Sequence, residues 1–125
     1  MKVNWNKPVN LSVEKLASRC NPFHNTVWND LDRPITRHEI LNADSLPDGP
    51  RKNHALKIFH FVTYGWTEPI QIDVGVPSLR CYPYLVQDGN HRFAAALVLG
   101  LDTIFATCSG SIDELETLLP SGEWK

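Results

Sequence analysis

The chain has 125 residues, of which 42% are hydrophobic and 21% are charged, and its net charge is −2. These values are typical of one globular domain and exclude a disordered chain. The slight acidic excess argues against a protein that mainly binds nucleic acid, because such proteins carry a basic excess.

The apolar spacing and the turn residues predict the elements in chain order. They are a helix over 11–20, a short strand over 26–28, a helix over 36–43, a loop over 45–52, a helix over 54–64, a strand over 69–74, an irregular connection over 76–83, a strand over 84–86, a helix following residue 90, a strand over 103–108 and a helix over 112–119.

Polar residues at three helix starts are expected to act as caps. Asn10 or Ser12 would cap the first helix, and Ser111 would cap the last. Thr36 and Glu39 have the spacing of a capping box, in which each side chain bonds the other residue's backbone amide.

Between residues 69 and 74, apolar side chains alternate with Gln71 and Asp73, which is the pattern of a half-buried strand. The order of helices and strands predicts an α/β or α+β fold with a small mixed sheet and flanking helices. We expect one domain over the whole chain, with residues 54–110 as its core and residues 1–50 as an N-terminal extension.

No apolar run approaches the roughly 18 residues of a membrane helix, and the N-terminus lacks the apolar core of a secretory signal. Cys20, Cys81 and Cys108 are odd in number and widely spaced, which indicates reduced thiols. The five histidines lack the spacing of a zinc site. We therefore expect a cytoplasmic protein without a membrane span or structural zinc.

The segment Asp88-Gly89-Asn90-His91-Arg92 precedes an apolar, alanine-rich helix. Gly89 permits a turn with positive φ, and Asn90 is a good cap for the helix. The first turn of a helix presents unpaired N–H groups and a partial positive charge, to which His91 and Arg92 would add cationic donors. This combination predicts a site for phosphate or carboxylate groups.

Structural roles compete with this interpretation. Asp88 and Gly89 form a common turn pair, and His91 could be a structural histidine. Arg92 could fix the turn by pairing with Asp88 or Glu68. Glu68 itself is a candidate catalytic acid, with a simple surface charge at the start of the strand as the alternative.

The basic segment over residues 51–60 has its charges largely opposite the apolar stripe of its helix. We expect a solvated face, with a contact to a triphosphate or to nucleic acid as the alternative. The tryptophans are expected in the core or in a lid: Trp5, Trp28, Trp66 and Trp124.

The segment 66–73 (WTEPIQID), the motif over 88–92 (DGNHR) and the alanines at 94–96 together resemble the ParB/sulfiredoxin superfamily. The resemblance covers about residues 54–110. It implies a nucleotide site for CTP, ATP or ADP, in which the phosphates contact Gly89, Asn90, His91 and Arg92. It also implies a magnesium ion beside Asp88.

Asn90 departs from the motif of this superfamily. Partition proteins have Gly-Glu-Arg-Arg, in which the glutamate offers a negative charge to a cation. Sulfiredoxin has Gly-Cys-His-Arg, and its catalytic cysteine would fall on Asn90. An amide nitrogen is not a nucleophile, so sulfinic-acid reduction is excluded. The Asp-Gly-His-His-Arg of the free-serine-kinase branch differs from this chain at one position.

The expected function is nucleotide binding with weak NTP hydrolysis or phosphoryl transfer. His91 would stabilise the transferring charge or relay a proton, Asp88 would position magnesium, and Glu68 is a further candidate acid. One alternative is a non-catalytic protein-interaction or inhibitor module of phage or plasmid origin, which the Asn90 substitution fits. Another is a ParB-like nuclease, against which the net negative charge argues.

Overall fold

The computed structural model describes residues 3–75 and 85–120. Its elements are β1 (Val9–Ser12), α1 (Val13–Ala17), α2 (Arg37–Leu41), a 3₁₀ turn (Ala43–Ser45), α3 (Pro50–Tyr64), β2 (Ile70–Asp73), β3 (Val86–Asp88), α4 (Asn90–Leu99), β4 (Thr103–Ser109) and α5 (Ile112–Glu116). The predicted α+β class, with a small mixed sheet and flanking helices, is confirmed.

The strands in the described part of the chain form one mixed sheet in the order β1-β4-β2-β3. β4 lies parallel to β2 and antiparallel to β1, while β2 and β3 are antiparallel. Ile70 and Ile72 of β2 are buried and Gln71 and Asp73 are exposed, which confirms the predicted alternation. Because α4 connects the edge strand β3 to β4, its N-terminus lies at the end of β3.

α4 packs on the sheet with one side and on α3 with the other. Phe93 and Ala96 belong to the core that includes the sheet residues. Ala94 and Ala95 belong to a second core with Ala55 of α3, and all five side chains are fully buried. Small side chains at this contact let the two helices approach closely, which brings the N-terminal part of α3 near the first turn of α4.

The predicted helix over 11–20 is wrong at its start. Residues 9–12 form β1, in which Leu11 pairs with Ile104 across the sheet, and pairing with β4 overrides the helical spacing. The helix begins at Val13, and Ser12 caps it by accepting a hydrogen bond from the Lys15 amide at 3.1 Å. Ser12 was one of the two expected caps.

Other predicted boundaries also need correction. Residues 26–28 form no strand, because the Thr26 hydroxyl makes a local turn with the backbone of Trp28. α3 begins at Pro50, inside the predicted loop, since proline suits the first helical position. β3 spans residues 86–88, whereas the predicted strand is 84–86, and residue 84 lies outside the described residues. The last helix ends at Glu116 and not at residue 119.

The capping box of α2 is confirmed. The Thr36 hydroxyl accepts from the Glu39 amide at 3.1 Å, and the Glu39 carboxylate accepts from the Thr36 amide at 3.0 Å. Ser111 occupies the cap position of α5, but its side chain makes no capping hydrogen bond.

Cys20 and Cys108 are free thiols, and burial raises their pKa values to about 12 and about 11. Trp5 packs against the sheet core, Trp28 against the α3–α4 core, and Trp66 contacts both. Cys81 and Trp124 lie outside the described residues.

None of the helices described has the length and hydropathy that a bilayer span needs.

Candidate functional site

The turn from β3 into α4 requires glycine at position 89. Gly89 has φ 106° and ψ 22°, as predicted, and a Cβ there would fall 2.4 Å from Cγ2 of Ile70. Gly89 is also the N-cap residue, and Asn90 is the first residue of the helix. The predicted capping role of Asn90 is therefore wrong. The side-chain Nδ2 of Asn90 instead donates to the Val86 carbonyl at 3.3 Å.

The first turn of α4 presents backbone donors. The Phe93 amide donates to the Gly89 carbonyl at 2.8 Å and closes the first turn of the helix. The amides of Asn90, His91 and Arg92 precede that bond and have no acceptor within the helix. With the helix dipole, they give this end of α4 the polarity that attracts an anion.

Arg92 is 8% exposed and ties this turn to the start of β2. Its Nη1 donates to the carbonyls of Glu68 and Pro69 at 3.0 and 3.1 Å. Its Nη2 donates to Oδ2 of Asp88 at 3.2 Å. These are the contacts of a residue that fixes the turn, as the structural interpretation expected, and they hold a positive charge beside the helix terminus.

A pocket of about 510 Å³ opens between α3 and the start of α4. α3 contributes Leu56, Lys57, His60 and Phe61, and the β3–α4 turn contributes Asp88, Gly89, His91 and Arg92. The pocket therefore combines an apolar surface with two cationic side chains, two imidazoles and one carboxylate. The volume is within the range of small-molecule sites.

The basic segment over 51–60 divides into two parts. Lys57 and His60 are exposed, as expected for a solvated face, and they also line the pocket. Arg51 instead binds Glu39 at 3.0 Å, and Lys52 lies 3.5 Å from Asp48.

The prediction of a solvated face is wrong for His54, because its side chain is only 12% exposed. Its Nδ1 lies 2.8 Å from Nε2 of His91, and its Nε2 lies 2.8 Å from Oδ1 of Asp30. The Trp28 ring packs on both imidazoles at centroid distances of 4.8 and 4.9 Å. A chain of hydrogen bonds thus runs from the exposed carboxylate of Asp30 to the pocket.

The surroundings of His91 disfavour its protonated form. Burial, followed by the charges of His54 and Lys57, lowers the pKa of His91 to about 4, although Asp30 acts in the opposite direction. The hydrogen bond from His54 lowers the pKa of the Asp30 carboxyl. His91 is therefore a neutral imidazole in the pocket at neutral pH.

Glu68 does not share the pocket with His91. It lies in a neighbouring hollow of about 360 Å³ on the side of Thr67 and Trp66, and Arg92 lines both. Its backbone carbonyl binds Arg92, and its side chain is exposed. A catalytic role for Glu68 stays a prediction.

Asp88 is the carboxylate that the pocket offers to a metal ion. In residues 3–75 and 85–120, no three His, Cys, Asp or Glu side chains come together as a metal site. Magnesium that accompanies a nucleotide usually takes only one or two carboxylates, with phosphate oxygens and waters as further ligands. Asp88, whose side chain is 65% exposed at the pocket, fits that donor set.

The structure thus brings Asp88, Gly89, His91 and Arg92 together at one pocket, with Asn90 in the same turn. Sequence reasoning missed the participation of Trp28, Asp30 and His54. The sequence signal for His54 was only its place in a basic segment, and Asp30 had none.

In comparisons with known proteins, no family model, no curated protein and no solved structure matches this chain. The resemblance to the ParB/sulfiredoxin superfamily therefore stays a prediction from the sequence.

Proposed function

We propose that this protein binds the phosphate groups of a nucleotide in the pocket between α3 and α4. The observation that carries the proposal is that Lys57 and Arg92 line one pocket of about 510 Å³ together with Gly89 and His91 at the N-terminus of α4. Each of these groups favours an anion, and a helix N-terminus with adjacent cations suits phosphate in particular.

The two ends of the pocket have different chemistry. The α4 end would bind the phosphates through the backbone amides of Asn90, His91 and Arg92, while Lys57 would reach them from α3. Leu56 and Phe61 supply an apolar wall on which the nucleoside would rest. CTP, ATP and ADP are the candidates that the sequence resemblance favours.

Asp88 would hold a magnesium ion, which would supply neutralisation of phosphate charge when bound. We include weak hydrolysis or phosphoryl transfer in the proposal, because His91 lies in the same pocket as a neutral imidazole. The proposal is that of a cytoplasmic, ParB-like nucleotide-binding protein, since nucleotides and reduced thiols are both found in that compartment.

Isothermal titration calorimetry with ATP, ADP and CTP in the presence of magnesium tests the proposal. We expect Lys57→Ala to weaken binding about tenfold, as the loss of one charge-assisted contact does. Lys52→Ala is the matched control on the same helix, because Lys52 lies near Asp48 and outside the pocket walls. Wild type that binds none of the three nucleotides would overturn the proposal, as would equal affinities in both variants.

A protein-interaction module is the second candidate. Leu41 is 54% exposed and Phe59 is 38% exposed, and both line a shallow hollow on the outer side of α2 and α3. Exposed apolar side chains that lie together are typical of contact surfaces. A stoichiometric protein partner that is lost in Phe59→Ser but retained in His91→Asn would favour this function. The nuclease hypothesis rests on the sequence resemblance alone.

A further inference from the structure

Three side chains from separate segments form a continuous hydrogen-bonded chain. Asp30 lies in the loop before α2, His54 lies on α3, and His91 lies in the first turn of α4. The N···O distance from His54 to Asp30 and the N···N distance from His54 to His91 are both 2.8 Å, within the ordinary range for hydrogen bonds donated by nitrogen. The Asp30 side chain is 55% exposed, so this end of the chain meets solvent, while His91 lines the pocket at the other end.

The hydrogen-bonding partners fix how protons can be arranged. A carboxylate only accepts, so Nε2 of His54 must donate to Asp30. A neutral His54 then accepts at Nδ1, and Nε2 of His91 must donate to it. In that arrangement Nδ1 of His91 carries no proton and is the basic nitrogen of the ring.

The two imidazoles lie edge to edge and not face to face. Their centroids are 5.1 Å apart and their planes differ by 19°, which together with a 2.8 Å N···N distance describes nearly coplanar rings joined through their nitrogens. The indole of Trp28 covers both rings at interplanar angles of 29° and 23°. An aromatic face in this position excludes water from the bond and stabilises an imidazolium when one forms.

We propose that Asp30, His54 and His91 form a proton relay that makes His91 the general base for attack of water on a phosphate bound in the pocket. This inference rests on the proposed function, because the phosphate is the one bound between α3 and α4. His91 is the catalytic residue, and His54 and Asp30 are positioning residues that act through it.

The reaction balances with water as the only co-reactant. Nδ1 of His91 takes a proton from water as the water oxygen forms a bond to the terminal phosphorus. The bond between that phosphorus and the bridging oxygen breaks, and its electron pair stays on the leaving phosphate. As Nδ1 gains its proton, Nε2 of His91 passes its own proton to Nδ1 of His54, and the His54 imidazolium is stabilised by Asp30.

The charges around His91 connect substrate binding to this chemistry. Burial and the charges of His54, Lys57 and Arg92 disfavour protonation of His91 and lower its pKa, and Asp30 favours protonation. His60 and Asp88 are the other titratable side chains of the pocket. A bound phosphate offsets the charges of Lys57 and Arg92, so the pKa of His91 rises when a substrate is present and its strength as a base increases with it.

The test measures single-turnover hydrolysis of Mg–ATP by the full chain, together with the dissociation constant of ATP and the NMR titration of the histidine rings. In Asp30→Asn we expect the hydrolysis rate to fall about tenfold, with the dissociation constant unchanged. The titration of His91 should move to lower pH, because Asp30 favours its protonation. Asp30→Glu restores the carboxylate and should recover both properties in part.

His54→Gln removes the acceptor ring and should lower the hydrolysis rate about a hundredfold. His38→Gln is the control, since His38 is an exposed histidine on α2 that contacts Asn42 and takes no part in the relay. Because Asp30 is exposed, its substitution tests the relay even if His54→Gln fails to fold.

The possible results separate the inference from the proposed function. ATP binding without hydrolysis in wild type would overturn the relay and leave the binding function intact. Hydrolysis at the wild-type rate in Asp30→Asn, with an unmoved His91 titration, would do the same. Wild type that binds neither ATP, ADP nor CTP would overturn the proposed function and the relay with it.

Discussion

Gly89 occupies a backbone conformation that side chains rarely adopt, and it does so at a place where a Cβ has no room. The added atom would lie 2.4 Å from Cγ2 and 2.7 Å from Cβ of Ile70, and 3.3 Å from Nη2 of Arg92. Ile70 is fully buried in β2, so it cannot move aside without disturbing the sheet. The requirement for glycine therefore comes from both the dihedral angle and the packing.

Gly89→Ala is expected to lower the free energy of unfolding by about 2–4 kcal/mol, from left-handed strain together with overpacking. Gly100→Ala is the matched control at the other end of α4. Gly100 also has a positive φ, of 69°, but nothing lies within 4 Å of its added Cβ. The control should cost about 1 kcal/mol, and equal losses in chemical denaturation would contradict the proposed contact with Ile70.

His91 should make stability depend on pH in a defined direction. Its pKa is about 4 in the folded protein and 6.5 for an unperturbed histidine, mainly because burial disfavours the charged ring. Between these values the unfolded chain binds more protons than the folded one, so acid favours unfolding. The contribution of His91 is fully present above pH 6.5 and is lost as the pH falls towards 4.

We therefore expect the free energy of unfolding of wild type to fall more steeply over this interval than that of His91→Asn. Asparagine keeps a polar group near the position of Nδ1 but does not titrate. Urea denaturation at a series of pH values measures the difference between the two proteins. Parallel curves would show that His91 titrates as it does in the unfolded chain.

At the scale of the elements, helix caps give a direct comparison of bonded and unbonded side chains. The Thr36 hydroxyl binds the Glu39 amide, whereas Ser111 makes no such bond at the start of α5. Thr36→Ala should destabilise the protein by about 1 kcal/mol, and Ser111→Ala should have little effect. Thermal denaturation of the two variants checks this, and a larger loss in Ser111→Ala would be inconsistent with the geometry of the caps.

The elements that could be predicted from the sequence are those with a strong local pattern. The alternation in β2 and the capping box of α2 depend on neighbouring residues, and both are present. The sequence does not predict β1, because Leu11 also fits the helical spacing of the residues after it and Ser12 suits a helix cap. Only the pairing of β1 with β4, almost a hundred positions along the chain, decides that they form a strand.

The candidate site also has a part that the local sequence predicts and a part that only tertiary packing brings together. Residues 88–92 are contiguous, so their turn and helix start could be predicted as one unit. Trp28, Asp30 and His54 reach His91 only through tertiary packing, and no spacing in the sequence relates them. The polar stretch of α3 predicts a solvated side chain for His54. Only the packing of α4 against α3 shows that this side chain is largely buried.

At the scale of the whole molecule, α4 is shared by two cores and positions the site. Its contact with the sheet fixes the turn at Gly89, and its contact with α3 brings His54 to His91. The N-terminal region contributes to both layers, because β1 extends the sheet and the loop with Trp28 and Asp30 covers the histidine pair. Residues before α3 are therefore part of the site as well as of the fold.

The proposed binding of phosphate at the start of α4 is tested most directly by titrating Mg–ATP into the isotope-labelled protein and following its backbone amide resonances by NMR. We predict large, saturable shifts for Asn90, His91 and Arg92, because their amides would donate to the phosphates. The amide of Asp113, at the start of α5, should shift little. Saturable binding of Mg–ATP that leaves the three α4 amides unmoved, or no binding at all, would contradict this account.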